Sequence, residues 1–212
     1  MKKYQFILLD WDGNLARTLD VWLASLKTCL EKRGYFLNDA KIGADFTAFR
    51  ERLQGRGITD LDEIIEEAYA LSRTKTPEVE LYPDALEVLE HLHKAGKKLA
   101  LVTTSAHAQI DPLLERFKLH NLFDAVVCGD DVMYAKPHAE PLEKAISLLS
   151  ADKGGTVMVG DSEKDIAAAA NAGVDSILFY PPAHATYYDL NQLQKLNPTL
   201  IIEDFKDLKK TV

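Results

Sequence analysis

The sequence predicts an α/β protein: a Rossmann-like, doubly wound parallel sheet with a small helical segment inserted early in the chain. Three observations predict it. Short apolar runs read as buried strands: Phe6-Ile7-Leu8-Leu9, Leu99-Ala100-Leu101-Val102, Ala125-Val126-Val127-Cys128, Thr156-Val157-Met158-Val159, Ser176-Ile177-Leu178-Phe179 and Leu200-Ile201-Ile202. From Tyr82 onward these runs alternate with helical patterns, which argues for a parallel sheet covered on both faces. Residues 17 to 80, by contrast, contain helical patterns only.

The first run ends in Asp10-Trp11-Asp12-Gly13-Asn14, two carboxylates at the close of a buried strand. Side chains alternate along an extended chain, so the pair shares a face only while strand geometry persists. Gly13 then frees the backbone for the close approach that a phosphate or a metal needs. A polar turn capping a strand is the plain alternative. In the inserted segment, Val21, Leu23, Leu26 and Leu30 lie at helical spacing, with Asp20 as N-cap and Gly34 as stop. Asp45 is expected to cap a second helix carrying Phe46, Phe49 and Leu53. Asp60 and Glu63 make a capping-box pattern before Leu61, Ile64, Ile65, Ala68 and Leu71.

After Tyr82, Pro83 and Asp84 open a helix predicted to bury Leu86, Leu89 and Leu92 and to end at Gly96. Leu113, Leu114 and Phe117 share a helical face, with Asp111-Pro112 as cap and first position. Residues 141–149 form the next helix. Residues 166–172 form an alanine-rich one closed by Gly173.

Size and composition narrow the function. A chain of 212 residues holds one large domain, or a core with a smaller appendage. It is 47% hydrophobic and 27% charged, ordinary for a soluble globular protein. A net charge of -8 offers no basic footprint for nucleic acid or an anionic membrane, so an anionic substrate would need locally placed cations or a metal. Cys29 and Cys128 form no CxxC pair and read as free, buried thiols in a reducing compartment. The apolar run after Met1-Lys2-Lys3 stops at Asp10, too short for a signal core. No stretch approaches the length of a membrane span. The expectation is a soluble, cytoplasmic protein, monomeric or homodimeric.

In a parallel sheet, ligands bind outside the carboxyl ends of the strands. The residues there are Asp10 and Asp12, then Thr103 and Thr104, then Lys136-Pro137 on a loop, then Gly160-Asp161-Ser162-Glu163-Lys164-Asp165. Clustered carboxylates repel one another unless a cation neutralises them. Oxygen-only ligands favour a hard ion, and Mg²⁺ commonly takes a couple of carboxylates with waters and substrate phosphate. A hydroxyl, a lysine and Mg²⁺ converging on one carboxylate point to phosphoryl transfer.

These four segments, in this order, resemble the four motifs of the haloacid dehalogenase superfamily of phosphatases. Asp10-Trp11-Asp12-Gly13 resembles the first, Leu101-Val102-Thr103 the second and Lys136-Pro137 the third. Gly160-Asp161 through Asp165, followed by Ile166, Ala168, Ala169, Ala172 and Gly173, resembles the fourth and is the most specific part. Lys136-Pro137-His138 and Pro141 are similar to the phosphoglycolate phosphatase-like branch. The inserted helices resemble that family's cap, giving a core of residues 1–16 and 82–212 and a cap of residues 17–81.

The resemblance implies a Mg²⁺-dependent phosphatase acting on a small phosphomonoester through an aspartyl-phosphate. Asp10 would be the nucleophile, and Asp12 the acid for the leaving alcohol and the base for the hydrolytic water. Mg²⁺ would bind the carboxylates of Asp10 and Asp161 and the carbonyl of Asp12. Thr103 would hydrogen-bond the phosphoryl oxygens and Lys136 balance their charge. Asp165 would join this metal set or orient Lys136 or a water beside the ion; on residues alone it also fits a helix-start capping box with Ser162.

Trp11, Gly13 and Thr104 border this site and are carried as substrate-binding positions, with packing as the plain reading of Trp11. Arg17, where the chain enters the cap, and Arg56, flanked by Gly55 and Gly57, are candidate partners for an anionic substrate. For these two, and for Arg50 and Arg52, a solvated helix charge or hinge residue is the plain reading. His107, His138 and His184 read as solvated or packing residues. The chain departs from the family pattern at Asn14, Arg17, Thr104 and Ala139, where Thr or Val, an acidic residue, Asn and Pro are usual. A sugar phosphomutase of the same fold and a non-catalytic phosphate-ligand binding module are the competing functions. A dehalogenase is disfavoured, because that branch lacks the second acid and needs no metal.

Overall fold

The computed structural model describes residues 3–38 and 49–212, without the side chains of Phe49, Glu51 and Arg52. Asp45 and Phe46 lie outside the described residues. Six strands, β1 (Phe6–Leu9), β2 (Lys98–Val102), β3 (Ala125–Val127), β4 (Thr156–Gly160), β5 (Asp175–Phe179) and β6 (Leu200–Ile202), form one sheet in the order β3-β2-β1-β4-β5-β6. Every pairing is parallel. Leu9 lies level with Leu101 of β2 and Val159 of β4, so three strands end flush. The strand order reverses between β1 and β4, which is where open α/β sheets leave a crevice.

The continuous apolar runs are explained by burial on both faces. Ile7, Leu9, Leu99, Leu101, Val157 and Val159 face one layer, and Leu8, Ala100, Val102 and Met158 the other. Helices α1 (Thr18–Lys32), α2 (Phe49–Gln54), α3 (Leu61–Thr74) and α4 (Ala85–Lys94) fall between β1 and β2. Then come α5 (His107–Arg116), α6 (Glu140–Leu148), α7 (Glu163–Ala172), α8 (Leu190–Gln194) and α9 (Leu208–Thr211). α4, α5 and α9 cover the first face, and α6 and α7 the second. In α7, Ala168, Ala169 and Ala172 bring the backbone close to the sheet, and Gly173 ends the helix at φ 72°.

Four local expectations are corrected. Leu86 is 38% exposed, because the buried stripe of α4 is Ala85, Val88, Leu89 and Leu92, and Leu86 lies one residue off it. Pro112 lies inside α5, which begins at His107. The Asp130 carboxylate accepts from the His107 backbone N–H at 3.1 Å and holds this earlier start. Asp20 sits in the first turn of α1 rather than capping it, and accepts from Arg17 Nε (2.8 Å) and the Tyr187 hydroxyl (2.6 Å). Asp60 precedes α3 but pairs with Arg33 Nε (2.8 Å) instead of closing a capping box.

Leu23, Leu26, Cys29 and Leu30 of α1 pack with Leu53, Ile58, Leu61, Ile64, Ile65 and Ala68 in a cluster separate from both sheet layers. Arg33 also grips Glu67 of α3 with two hydrogen bonds, of 2.8 and 2.7 Å. The chain enters and leaves this cluster along a short ribbon, in which Arg17 N–H donates to Glu80 and Tyr82 N–H to Leu15. Cys29 and Cys128 are free and buried. Among the described residues, no helix is long and apolar enough to cross a membrane.

Candidate active site

The flush strand ends assemble the site. Asp10 N–H donates to Val159 O at 3.0 Å, so β1 keeps its pairing with β4 through the first aspartate. This sets Asp10 beside Asp161, the residue that follows β4. The turn then tightens: Leu15 and Ala16 N–H donate to Trp11 O, and the Asn14 side-chain amide donates to Asp10 O at 3.0 Å. Asn14 thus shapes the loop from a fully buried position. Gly13 has φ 73°, and a Cβ there would lie 2.1 Å from Asp161 Oδ2. Its contribution is therefore the missing side chain that lets Asp161 approach.

Lys136 is 6% exposed and reaches in from the loop after β3. Its Nζ donates to Asp10 Oδ1 (2.7 Å), Asp165 Oδ1 (2.6 Å) and Val102 O (2.9 Å), which uses all three ammonium protons. Asp165 also accepts from the Ser162 hydroxyl (2.6 Å) and backbone N–H (3.2 Å), so one carboxylate both caps α7 and holds the lysine. Carboxylate oxygens of Asp10, Asp161 and Asp165 lie within 4.8 Å of one another, all on buried residues. Burial first, then the charge of Asp165, pushes the Asp10 carboxyl up to about 7, although Lys136 pulls it down. Burial and the charges of Asp165 and Asp10 likewise hold Asp161 well above the usual carboxylate range. Burial alone would lower the Lys136 ammonium; the charges of Asp10 and Asp165 outweigh it and raise it.

These groups open onto a cavity of about 580 Å³ between the sheet edge and the inserted helices. Asp10, Asp12, Trp11, Thr104, Lys136 and Asp161 line it, and α3 contributes Tyr69, Ser72 and Arg73. Trp11 is 1% exposed and packs near Phe117 (6.4 Å between ring centroids), so it belongs to the core as well as to the cavity floor. Thr103 is buried at the end of β2, its hydroxyl oxygen accepting from Ser105 N–H at 3.1 Å.

Three of the proposed substrate-binding positions, Gly13, Arg17 and Arg56, do not line the cavity. Arg17 is held by Asp20 (2.6 Å) and lies 3.8 Å from Glu80 beside the ribbon, outside the lining. Arg56 is exposed in the turn between α2 and α3, also outside it. Arg50 pairs with Asp62. The side chain of Arg52 lies outside the described residues. Among the described residues, the cations that do reach the wall, besides Lys136, are Arg73 and Lys164.

Sequence reasoning also missed two hydroxyls. Ser105 Oγ donates to Asp12 Oδ2 at 2.9 Å; its position two residues beyond Thr103 was the available signal. Tyr188, from the segment after β5, lines the cavity beside Asp161; burial and the Asp161 charge hold its phenol well above the ordinary range, and no local pattern points to it. His184 is fully buried among aromatic rings, a packing residue, and its Nε2 lies 2.6 Å from the Tyr82 hydroxyl. His107 pairs at the surface with Asp111 (3.2 Å) and Asp131 (2.9 Å).

The donor set suits a hard cation. It is oxygen-only and buried, and among the described residues Asp161 Oδ2 has no hydrogen-bond partner. Carboxylates pushed up by burial and by one another bind such an ion because it removes their repulsion. Asp10 and Asp161 have oxygens to offer, whereas both oxygens of Asp165 already accept from Lys136 and Ser162.

Residues 7–179 match the profile of the haloacid dehalogenase-like hydrolases. The pyrophosphatase PpaX of Bacillus mycoides is 32% identical over 212 residues, covering 93% of this chain and 97% of that protein. The pyrophosphatase PpaX of Anoxybacillus flavithermus is 34% identical over 173 residues, 79% of each chain. Among solved structures, a HAD family hydrolase from Deinococcus radiodurans, with bound phosphate and sodium, has the same fold. Its TM-score is 0.84 at 21% identity, with 100% of this chain and 96% of that one covered. With its profile match spanning β1 through β5 and a 32% identical relative covered over 97% of its length, the chain belongs to the haloacid dehalogenase-like hydrolases and is an enzyme of that family.

Proposed function

We propose that this hydrolase is a Mg²⁺-dependent phosphatase of the phosphoglycolate phosphatase-like branch. It would cleave a small phosphorylated molecule through an aspartyl-phosphate on Asp10. The observation that carries the reading is the Asp10 carboxylate at the head of a cavity, bonded to a buried ammonium at 2.7 Å with Asp12 alongside. In the first step an Asp10 oxygen attacks phosphorus and the bond from phosphorus to the leaving oxygen breaks. Asp12 gives that oxygen its proton. In the second step water attacks phosphorus, Asp12 takes the proton of the water, and the bond to Asp10 breaks, releasing phosphate and restoring both carboxyls. Lys136 offsets the charge spread over the phosphoryl oxygens, and Thr103 is the candidate hydroxyl donor to them.

Asp10, Asp161 and the backbone carbonyl of Asp12 would hold Mg²⁺, with Asp165 beside them keeping Lys136 in place. When bound, the ion would keep Asp10 ionised and draw charge from the phosphoryl group. Helices α1 to α3, residues 17–81, form the cap in this reading, and their wall selects the substrate. Arg73 and Lys164 favour a molecule with a second anionic group. Pyrophosphate fits that description, and the similarity to pyrophosphatases along 93% of the chain supports including it.

The test is phosphate release from a panel of alkyl, sugar and carboxylate-bearing phosphomonoesters and pyrophosphate, with and without Mg²⁺, beside Asp10→Asn. Turnover should need both the ion and Asp10. Turnover by Asp10→Asn at the parent rate refutes the aspartyl-phosphate. Sugar-phosphate isomerisation without net phosphate release would make the protein a mutase. Binding of phosphate with no turnover of any panel member would make it a binding module.

A further inference from the structure

Ser105 plays no part in the reaction as written above. Its hydroxyl is nevertheless the side-chain hydrogen-bond donor found on Asp12 among the described residues, Oγ to Oδ2 at 2.9 Å. The backbone that presents it is fixed from both sides. Ser105 N–H donates to Thr103 Oγ1 at 3.1 Å, and Ser105 O accepts from Gly129 N–H at 2.9 Å. A Cβ at Gly129 would lie 2.3 Å from Thr104 O, so a glycine there is what allows the loops after β2 and β3 to lock together. The hydroxyl therefore reaches Asp12 from a clamped turn, while Asp12 projects from a turn tied by its own backbone bonds.

We propose that Ser105 is a positioning residue that divides the labour between the two oxygens of Asp12. An oxygen that accepts the serine hydrogen bond is the carbonyl oxygen when Asp12 is protonated, so the other, Oδ1, carries the proton. Ser105 thereby fixes which oxygen faces the leaving group and at what angle. This is the orientation that proton transfer to a departing oxygen requires. The step is the first of the two above: the phosphorus–oxygen bond breaks, Asp10 gains the phosphoryl group, and the Asp12 proton ends on the leaving oxygen. The inference rests on the reading of Asp12 as that proton donor.

The measurement is kcat/KM, which reports phosphoryl transfer to Asp10 and not the later hydrolysis. It is taken for an alkyl phosphate that the parent enzyme turns over and for p-nitrophenyl phosphate. The alkoxide is a poor leaving group that needs a proton; the nitrophenolate leaves without one. Ser105→Ala should lose about tenfold on the alkyl ester, the size of one hydrogen bond's contribution, and under about threefold on the nitrophenyl ester. Ser105→Thr, which keeps the hydroxyl, should recover most of the alkyl rate. Equal losses on both esters, or no loss on either, overturn the proposal, since a merely structural serine has no reason to distinguish leaving groups. Asp12→Asn, run in parallel, separates the two levels. If it shows the leaving-group dependence and Ser105→Ala does not, the role of Ser105 alone falls. If Asp12→Asn shows none, the reading of Asp12 falls and the proposal with it.

Discussion

Acid should weaken this fold in part through one buried imidazole, and His184→Gln is the perturbation that isolates it. His184 is fully buried, with the ring centroids of Tyr82, Phe179, Tyr180, Tyr187 and Tyr188 at 5.7 to 6.2 Å around it and the Tyr82 hydroxyl in direct hydrogen bond. Burial pushes its pKa from 6.5 down to about 4, and the charge of Asp20 offsets only part of that. In the unfolded chain the imidazole takes up a proton below its ordinary value, whereas in the fold it stays neutral until about pH 4. Between those values the unfolded state binds more protons, so stability rises with pH. The contribution is fully present above the unfolded pKa and is lost as pH falls through the window. A shift of this size corresponds to about 3 kcal/mol in all, of which about 2 kcal/mol is lost by about pH 5.

Asp10 and Asp161 act in the opposite sense. Their folded pKa values are raised, so the protons they hold favour the fold in acid, and that share fades as pH rises toward about 7 for Asp10. A difference between parent and variant cancels this background. Urea unfolding of both proteins, in chelator, at about pH 8 and about pH 5 is the assay. The parent should lose about 2 kcal/mol more than His184→Gln between the two conditions. Equal losses, within about 0.5 kcal/mol, would refute the claim that a neutral buried histidine contributes to the acid sensitivity of the fold.

Other perturbations follow from the same geometry. Gly160→Ala would place a Cβ 2.3 Å from Asp165 Cγ, so Asp165 must move and release Lys136. Steady-state kinetics should show a loss of more than about tenfold while circular dichroism stays native. Lys136→Met leaves two buried carboxylates without their cation, at a cost of about 3 kcal/mol. That cost should grow from about pH 6 to about pH 9, as Asp10 can no longer keep a proton, and denaturation at both pH values would reveal it. Leu8→Ala, in the centre of the sheet and fully buried, should cost about 2–5 kcal/mol in urea without changing the substrate profile. Chelation should abolish phosphate release and added Mg²⁺ restore it; release that persists after exhaustive chelation would contradict the assignment of the acidic cluster.

Much of this architecture is local information. Phe6 to Leu9 read as buried on both faces because no polar residue interrupts them, and β2, β3 and β4 carry apolar runs of the same kind. Alternation with helices then dictates parallel pairing and puts Asp10, Thr103, Lys136 and Asp161 on one edge. Ser162 and Asp165 are legible as a capping box because the partners lie within one turn. Helix phase was less secure: Leu86 is apolar yet exposed, since Ala85 and Val88 define the stripe that meets the sheet.

The composition of the strand ends by itself determined which chemical groups meet at the site. Only the tertiary structure decided what each of them touches. Arg17 had the right charge near the right place, but Asp20 and Glu80 hold it beside the ribbon, while Arg73 reaches the cavity from α3. Tyr188 stands far along the chain from Asp161 in no recognisable pattern, and the fold after β5 brings them together. Ser105 finds Asp12 only because Gly129 lets two loops close on each other. Burial and periodicity are properties of neighbours along the chain. The direction of a side chain at a strand end is set instead by sheet register and loop closure, which depend on residues far apart in sequence.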